Sequence, residues 1–307
     1  MCLKSKCNLS ILIPCYNFDI TDLVKSINKL CKNSKSLKKF EILCFEDGST
    51  KCFSNIRVDK LKNVKYHKLQ NNIGRSKIRN MMAKTANYDW LLFIDCDSKI
   101  AHSNFIKNYT DQIHNIKKED YTRVVLYGGT VYDKKPPKSN QKLHWKYGTK
   151  IETKRKKNSF SSHHFLISKK CFTEKNIQFN ENINTYGYED VLFIVDNKLK
   201  PTYIKNPLIH LGVKKTIDYI KDTESAIENL IDFYKFSKNK KKIKIIQTYH
   251  MISKLKLTKI LVTLFQIFKP LILKNMKSNH PSLLLFQIYK IGFLSHMLAN
   301  RNLTKKR

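Results

Sequence analysis

Residues 90–97 read Trp90-Leu91-Leu92-Phe93-Ile94-Asp95-Cys96-Asp97, an apolar run that closes with two aspartates. The run predicts a buried strand. Because successive strand residues point to opposite faces, Asp95 and Asp97 share one side where the strand leaves the core. Divalent ions such as Mg²⁺ take one or two carboxylates and complete their shell with water and substrate phosphates. The stretch therefore predicts a strand end that binds a metal-bridged diphosphate, although an isolated copy would favour a solvated turn.

Strands and helices alternate around this stretch. Apolar runs predict strands at residues 9–13, 40–45, 63–69 and 89–94, and helical spacing predicts helices at 22–30 and 75–84. Such alternation is typical of a parallel sheet with crossover helices, whose ligands collect beyond the carboxyl ends of the strands. The acidic turns of the first 100 residues lie at such ends.

The second half is less regular. The segment 134–138 breaks the pattern, and a basic loop follows at 154–157. Further strands are expected at 123–127, 165–168 and 206–210, a helix at 186–195, and helices from about Thr216 to the end. The fold class is therefore α/β with a C-terminal helical extension.

Length and composition limit the number of domains and the classes of partner that the protein can bind. The chain has 307 residues and 41% hydrophobic content, enough for one large domain or two small ones. Lys and Arg number 59 against 24 acidic residues, for a formal net charge of +35. Such a charge attracts nucleic acid, anionic lipid or a phosphorylated substrate. Because the excess is mostly lysine spread along the chain, a lysine-biased genome is the alternative explanation.

The eight cysteines form no C-x-x-C pair. Several lie in apolar strand contexts, where a thiol acts as a small hydrophobe, so a reduced cytoplasm fits best. The apolar segment Leu9 to Ile13 is too short for a signal peptide and stops at Pro14. We therefore expect a cytoplasmic protein.

The tail contains an apolar stripe. Its residues are Ile260, Leu261, Leu264, Phe265 and Phe268, with Lys256, Lys259, Thr263 and Gln266 opposite and the lysine-rich segment 238–244 upstream. Lys269 and Pro270 end the apolar run well short of the roughly 18 residues that span a bilayer. The stripe thus predicts either an interfacial helix on an anionic membrane or a helix docked on the core.

Four segments at predicted strand ends stand in series: Ile13-Pro14-Cys15-Tyr16-Asn17, Glu46-Asp47-Gly48-Ser49, Asn72-Ile73-Gly74-Arg75 with Arg79-Asn80, and Asp95-Cys96-Asp97. Gly187-Tyr188-Glu189-Asp190 and then His210 follow. Their order and spacing resemble family 2 glycosyltransferases of the GT-A fold, over roughly residues 9–210. From Asn158 onward the layout resembles a bacterial subgroup of that family.

The resemblance implies a nucleotide-sugar site and a mixed central sheet with a Rossmann-like first half. Pro14, Tyr16 and Asp47 would border uracil and ribose, and Arg79 would lie near the diphosphate. The other residues implied in this site are Asn17, Asn72, Gly74 and Asp95. A carboxylate can accept from the uracil imide or ribose hydroxyls, and an arginine fork suits phosphate oxygens. Arg75 and Arg79 are four residues apart on one helix face, so both could reach one ligand. The alternative is two solvated helix charges, which fits Arg75 better than Arg79.

The resemblance also implies a divalent metal, Mn²⁺ or Mg²⁺. Asp97 would be the direct ligand, Asp95 a metal-water or ribose partner, and His210 a ligand from the second half. A neutral imidazole at a strand end can do this, although a lone histidine is more often structural. His163 and His164 face opposite sides as strand neighbours and cannot easily share an ion.

Asp190 stands where the family keeps its catalytic base, and Glu189 would bind acceptor hydroxyls. An inverting transfer needs a carboxylate to take the acceptor proton as that oxygen attacks the donor sugar. Gly187 would permit a close approach of the chain to the sugar, and a helix start would keep both acids ionised. The alternative is a pair of acids that merely cap a helix. One departure from the family is Glu46, where a second aspartate is usual.

Together these features predict a metal-dependent inverting glycosyltransferase. It would move a sugar from a UDP-linked donor to a hydroxyl of a growing glycan or lipid-linked glycan, peripherally on the inner face of the cytoplasmic membrane. The expected divisions are a nucleotide-sugar-binding half at 1–130, an acceptor-binding half at 131–215 and a helical extension at 216–307. One alternative is a sugar-nucleotide pyrophosphorylase, which would require a glycine-rich signature at the first strand. The other is a basic nucleic-acid-binding protein. For the glycosyltransferase itself, no specific nucleic acid is expected as a partner.

Overall fold

The computed structural model describes residues 6–154, 160–183, 187–234 and 243–304. The predicted basic loop from residue 155 onward, Asn158, Tyr186 and residues 238–242 of the lysine-rich segment lie outside these ranges. The chain divides into two compact units. The first comprises Met1–Asp133, Glu152–Asn184 and Glu189–Gly212, and the second comprises Lys134–Ile151, Thr185–Tyr188 and Val213–Arg307.

Ten strands are found among the described residues, all in the first unit. They are β1 (Cys7–Cys15), β2 (Leu37–Glu46), β3 (Val64–Lys68), β4 (Trp90–Ile94), β5 (Ser98–Ile100), β6 (Val124–Tyr127), β7 (Thr130–Val131), β8 (His164–Ser168), β9 (Lys200–Tyr203) and β10 (Leu208–His210).

Ten α-helices are found in the same described ranges. They are α1 (Thr21–Lys32), α2 (Arg75–Thr85), α3 (Phe105–Ile113), α4 (Lys142–Tyr147), α5 (Lys170–Thr173), α6 (Glu189–Asp196), α7 (Thr216–Tyr234), α8 (Lys244–Lys254), α9 (Thr258–Met276) and α10 (Leu283–Thr304). Short 3₁₀ turns occupy Asn55–Lys60, Lys118–Asp120 and Ser139–Gln141, and a π-helical turn spans Gly148–Glu152.

The main sheet has seven strands in the order β3-β2-β1-β4-β8-β6-β9. Strands β3, β2, β1 and β4 run parallel, as the alternating sequence pattern predicts. Strand β8 is antiparallel to both β4 and β6, and β9 is parallel to β6. The sheet is therefore mixed, as the GT-A resemblance implies, and not parallel throughout, as the alternation alone suggested. The predicted division at residue 130 and the one at 215 stay predictions.

The central strands are buried on both faces, which explains their continuous apolar runs. All five residues of β4 are buried, and β1 carries one core-facing set on each side. Helices α1 and α3 pack on one face and α2 and α5 on the other. This packing holds the carboxyl ends of β1, β2 and β4 together at one end of the sheet.

A second sheet of three short strands has the order β5-β10-β7. Strand β10 pairs antiparallel with β5, with His210 opposite Ser98, and parallel with β7. Because β5 begins directly after Asp97, this pairing brings His210 to the end of β4 from more than 100 residues away.

The second unit is helical. Helix α10 packs on α9, α7, α8 and α4, and Gly292 of α10 leaves space for the Phe265 ring, which an added Cβ would approach to 2.4 Å. The predicted tail stripe is therefore divided, because Phe265 is buried while Ile260, Leu264 and Phe268 are exposed. Among the described helices, none combines the length and the apolarity needed to cross a bilayer.

Candidate active site

Asp97 and His210 form the centre of the candidate site. His210 Nε2 lies 3.1 Å from Asp97 Oδ2. The backbone supports this contact, since the Leu211 N–H donates to the Asp97 carbonyl at 2.7 Å. Gly212 follows so closely that an added Cβ would lie 2.0 Å from Asp97 Oδ2. The loop after β10 thus wraps closely around this carboxylate.

The two side chains stabilise opposite charges on each other. Burial alone would raise the pKa of Asp97, but the hydrogen bond and positive charge of His210 outweigh it and lower that pKa. Burial likewise favours neutral His210, yet its hydrogen bond with Asp97 and the carboxylate charge raise the pKa of His210. The pair is therefore a carboxylate and an imidazole held in direct contact.

Asp95 stands beside this pair with a different partner. Its backbone N–H donates to the His163 carbonyl at 2.9 Å, which fixes the turn after β4. Arg79 Nη2 donates to Asp95 Oδ1 at 2.7 Å. Burial raises the pKa of Asp95, while the Arg79 charge opposes that shift and the Asp97 charge adds to it.

The two arginines of α2 do not share one environment. The Arg79 side chain is 2% exposed, lies under Asp95 and carries its guanidinium 5.5 Å from the Phe179 ring centre. The Arg75 side chain is 46% exposed, and its Nη1 lies 3.3 Å from Glu189 Oε1. The Arg75 charge also opposes the rise in the pKa of Asp95 and helps to lower the pKa of Asp97. Arg75 is thus the accessible cation between the aspartates and α6, and Arg79 orients Asp95.

Asp47 closes the loop that precedes α2. Its carboxylate accepts from the Ile73 N–H at 2.7 Å and from the Gly74 N–H at 3.1 Å. Asn72 donates to the Asp47 carbonyl at 3.0 Å. Gly48 has a φ of +60°, and a Cβ there would lie 2.3 Å from the Asn72 nitrogen. The predicted residues Asp47, Asn72 and Gly74 therefore come together, with the Asp47 carboxylate already bound to backbone.

Asn17 fastens the end of β1 to the same turn. It has a φ of 54°, and its side-chain oxygen accepts from the backbone N–H groups of Thr50 and Lys51 at 2.9 and 2.8 Å. Beside it, the ring of Tyr16 is 46% exposed and Pro14 is half-buried. Tyr16 and Pro14 are thus the accessible members of the predicted base-binding set, and Asn17 shapes the loop.

Glu46 has a structural reason for being longer than aspartate. Its carboxylate accepts from Asn55 Nδ2 at 2.8 Å and from the Tyr66 hydroxyl at 3.1 Å, and it also contacts Ser49. The Glu46 side chain is buried beneath the turn. It ties β2 to β3 and to the 3₁₀ turn at Asn55–Lys60, a role that aspartate is too short to fill in the same way.

Glu189 and Asp190 open α6. Glu189 is buried and paired with Arg75. Asp190 is half-buried, and its carboxylate accepts from the Val191 N–H at 2.7 Å. In the second unit, Gly187 has a φ of +110°, and a Cβ there would lie 2.2 Å from the Ala226 Cβ. The close approach that Gly187 permits in this structure is therefore to helix α7.

His163 and His164 turn to different partners, as expected for neighbours at a strand end. His163 contacts the hydroxyls of Ser98 and Thr130, each at 3.0 Å, and its ring centre lies 5.2 Å from that of His210. His164 contacts the Tyr109 hydroxyl and the Gly129 carbonyl, each at 2.7 Å. Sequence reasoning did not assign His163 to the surroundings of His210, because the pairing of β5 with β10 cannot be read from the pattern.

The donor set fits a divalent ion that also binds a substrate. Neighbouring ligands at bonds of about 2.1 Å in octahedral geometry lie about 3 Å apart, the separation of His210 Nε2 and Asp97 Oδ2. A carboxylate suits Mn²⁺ and Mg²⁺, and a neutral imidazole is the commonest protein ligand of metals in general. Among the described residues, no group of three or more His, Cys, Asp or Glu side chains is assembled around one point. Asp97 and His210, with Asp95 nearby, would therefore hold an ion that takes its remaining ligands from water and substrate.

The solved structures that this chain is similar to include two of S. aureus TarS and one of a mannosyltransferase. S. aureus TarS 1-349 in complex with UDP is 17% identical with a TM-score of 0.49, covering 98% of this chain and 92% of that one. A longer S. aureus TarS structure is 19% identical with a TM-score of 0.46, and the match covers 75% of this chain but only 44% of the TarS chain. The mannosyltransferase PcManGT from Pyrobaculum calidifontis, in complex with GDP-Man and Mn²⁺, is 10% identical with a TM-score of 0.52 over 75% of this chain and 65% of that one.

The likeness to PcManGT concerns the fold alone, and it agrees with the predicted mixed α/β architecture with C-terminal helices, which is confirmed. No curated protein matches the chain in a sequence comparison. The family described as Glycosyl transferase family 2 matches residues 10–175, which is more than half of the chain. The resemblance read from the sequence is confirmed at this level, and the chain belongs to glycosyl transferase family 2.

Proposed function

We propose that the chain is a metal-dependent, inverting glycosyltransferase that moves a sugar from a UDP-linked donor to a hydroxyl of a growing glycan. The observation that carries the proposal is the contact of Asp97 with His210, placed at the carboxyl end of β4 by the three-stranded sheet. Ligands of open α/β sheets bind at such strand ends. Family membership supports a nucleotide-sugar as the donor.

The donor would lie along the ends of β1, β2 and β4. Tyr16 and Pro14 offer exposed apolar surface to a uracil ring, and Arg75 offers a cation to a diphosphate. Asp97 and His210 would hold the divalent ion, whose Lewis acidity offsets the charge of the departing diphosphate. Asp95, oriented by Arg79, would bind the ribose or a metal-bound water.

Asp190 is the proposed base. Inversion requires a carboxylate that removes the proton of the acceptor hydroxyl while that oxygen attacks the donor carbon opposite the diphosphate. Glu189 is buried, and one oxygen of its carboxylate pairs with Arg75. Asp190 lies next to it and is half-buried, which favours it for proton transfer, with Glu189 positioning the acceptor.

The proposal also includes the acceptor and the cellular site of action. The acceptor would be a glycan of a cell-surface polysaccharide or a lipid-linked oligosaccharide, and the site of action the inner face of the cytoplasmic membrane. Seven cysteines are described as free thiols, which agrees with a reducing compartment. A nucleic-acid-binding protein would instead bind tightly to a polyanion column, and its retention would not change when UDP, Mn²⁺ or Mg²⁺ is added.

Calorimetry of UDP binding tests the metal site. With Mn²⁺ or Mg²⁺ the wild-type protein should bind UDP more tightly than without, and Asp97→Ala should remove that difference. The control is Asp111→Ala, the same change at a partly exposed aspartate of α3, and it should leave the difference intact. If the wild-type protein binds UDP equally tightly with and without Mn²⁺ or Mg²⁺, the metal-dependent part of the proposal is wrong.

Turnover tests the base. Release of UDP from a panel of UDP- and GDP-sugars identifies the donor, and Asp190→Asn should then lower turnover by roughly 10²-fold or more while UDP affinity changes little. The matched control is Asp22→Asn, the same change at the first turn of α1. Near-normal turnover of Asp190→Asn would move the role to Glu189.

A further inference from the structure

Helix α9 is apolar on two faces, and the described residues cover only one of them. Phe265, Ile272 and Met276 are buried in the second unit. On another side, spacings of four, three and four residues align a set of exposed side chains, which we call the α9 stripe. The stripe consists of Ile260 (56% exposed), Leu264 (47%), Ile267 (62%) and Leu271 (63%).

The apolar surface extends beyond the helix itself. Phe268 is 47% exposed beside the stripe, and Leu255 and Leu257 are exposed in the turn that leads into α9. Single exposed apolar residues are normal on soluble proteins, but a contiguous apolar patch marks an interaction surface. A run of four aligned residues with exposed neighbours therefore requires a partner that tolerates apolar contact.

Along the sequence, the charge on both sides of α9 has one sign. After Asp232 the sequence contains no aspartate or glutamate, and it contains seventeen lysines and arginines. Lys256 and Lys259 stand at one end of α9, and Lys274 and Lys277 at the other. An apolar stripe between basic ends is the pattern of a helix that lies in the interface of an anionic membrane.

We propose that the α9 stripe docks on an anionic lipid bilayer, with α9 lying in the plane of the interface and its end lysines in contact with the headgroups. A second copy of the chain is a poor occupant, because pairing two α9 stripes would bring the lysines at the ends of both helices close to one another. This inference rests on the proposed site of action at the membrane and names the surface that would bind there, and its test requires neither donor, metal nor acceptor.

Vesicle sedimentation of the full chain tests the proposal. The probes are vesicles of phosphatidylcholine alone and of phosphatidylcholine with one-third phosphatidylglycerol, each at low and high salt. The test variant is Ile260→Ser with Ile267→Ser. The matched control is Ile56→Ser with Ile217→Ser, which removes two isoleucines that are 60% and 53% exposed elsewhere. All four changes are at exposed positions, so folding is preserved, and circular dichroism checks this.

The wild-type protein should sediment with anionic vesicles at low salt, less at high salt, and little with phosphatidylcholine alone. The stripe variant should lose at least about tenfold in partition coefficient, because two apolar side chains no longer enter the interface, while the control changes less than about twofold. Wild-type protein that stays in the supernatant with anionic vesicles at low salt overturns the proposal. Equal losses in both variants overturn it as well, and so does a dimer that the stripe variant dissociates without losing lipid binding.

Discussion

The pair of Arg79 and Asp95 should be one of the strongest electrostatic couplings in the first unit. Arg79 is almost fully buried and donates to Asp95 at 2.7 Å, so removing either partner leaves the other desolvated without its counter-charge. Breaking a fully buried pair costs about 3–5 kcal/mol. Because the Asp95 side chain is 26% exposed, water offsets part of that penalty, and we expect about 2–4 kcal/mol for Arg79→Met.

A double-mutant cycle measures the coupling. The free energy of unfolding in urea is determined for Arg79→Met, Asp95→Asn and the double variant, and the coupling energy should be about 1.5–3 kcal/mol. The control cycle uses Lys107→Met and Asp111→Asn, whose side chains are 62% and 31% exposed one turn apart on α3. That exposed pair should couple by no more than about 0.5 kcal/mol.

The same variants distinguish two roles of Arg79 in ligand binding. If Arg79 acts by orienting Asp95, Arg79→Met weakens UDP binding in the wild-type background but adds nothing in the Asp95→Asn background. Additive unfolding free energies within about 0.5 kcal/mol, or a further loss of UDP affinity in that background, would refute the reasoning.

Two further predictions follow from close contacts. Gly212→Ala should displace the Asp97 carboxylate from His210, because the added Cβ would lie 2.0 Å from Asp97 Oδ2. Calorimetry should then show that the affinity for Mn²⁺ falls roughly 10–100-fold. An unchanged affinity would mean that Asp97 is not a metal ligand. His164 is buried and its pKa is lowered to about 4, chiefly by burial, so its contribution to stability is present above about pH 6.5 and is lost as the pH falls toward 4. Between pH 7 and 4.5 this loss is about 2–3 kcal/mol of the free energy of unfolding. In urea titrations, the free energy of unfolding of His164→Asn should therefore fall by that much less than that of the wild-type protein over the same pH range. An equal fall in both proteins would contradict the prediction.

The parts of the fold that the sequence predicts are those built from local patterns. The apolar runs that become β1, β2, β4 and β8 end at turn residues, and burial on both sheet faces produces the same signal in each. The short strands β5 and β7 carry too few residues for a pattern. The insertion of β8 between β4 and β6 leaves no trace in periodicity, because an apolar run does not encode its partner or direction.

In the candidate site too, single residues could be predicted from local sequence, but the contacts between them could not. The D-x-D motif and His210 could be named from the chain, but their contact depends on a pairing between segments 98–100 and 208–210. Arg75 and Arg79 share a helix face, and only the packing of α2 shows that Arg79 is buried and Arg75 accessible. In the tail, the spacing that selected Phe265 also fits Ile267 and Leu271, and a helix that is apolar on two faces does not reveal which face is covered.

The sheet order also determines how the chain must assemble as it leaves the ribosome. Strands β1 to β4 are complete by residue 94, but the all-apolar strand β4 is an open edge until residues 164–168 are synthesised and pair with it. At about 5–20 residues per second, that interval lasts roughly 4–14 seconds. During that interval β4 is paired with β1 on one side only, and its open apolar edge is of the kind on which chains aggregate. Chaperone protection should therefore matter most for this protein while the middle third of the chain is being synthesised.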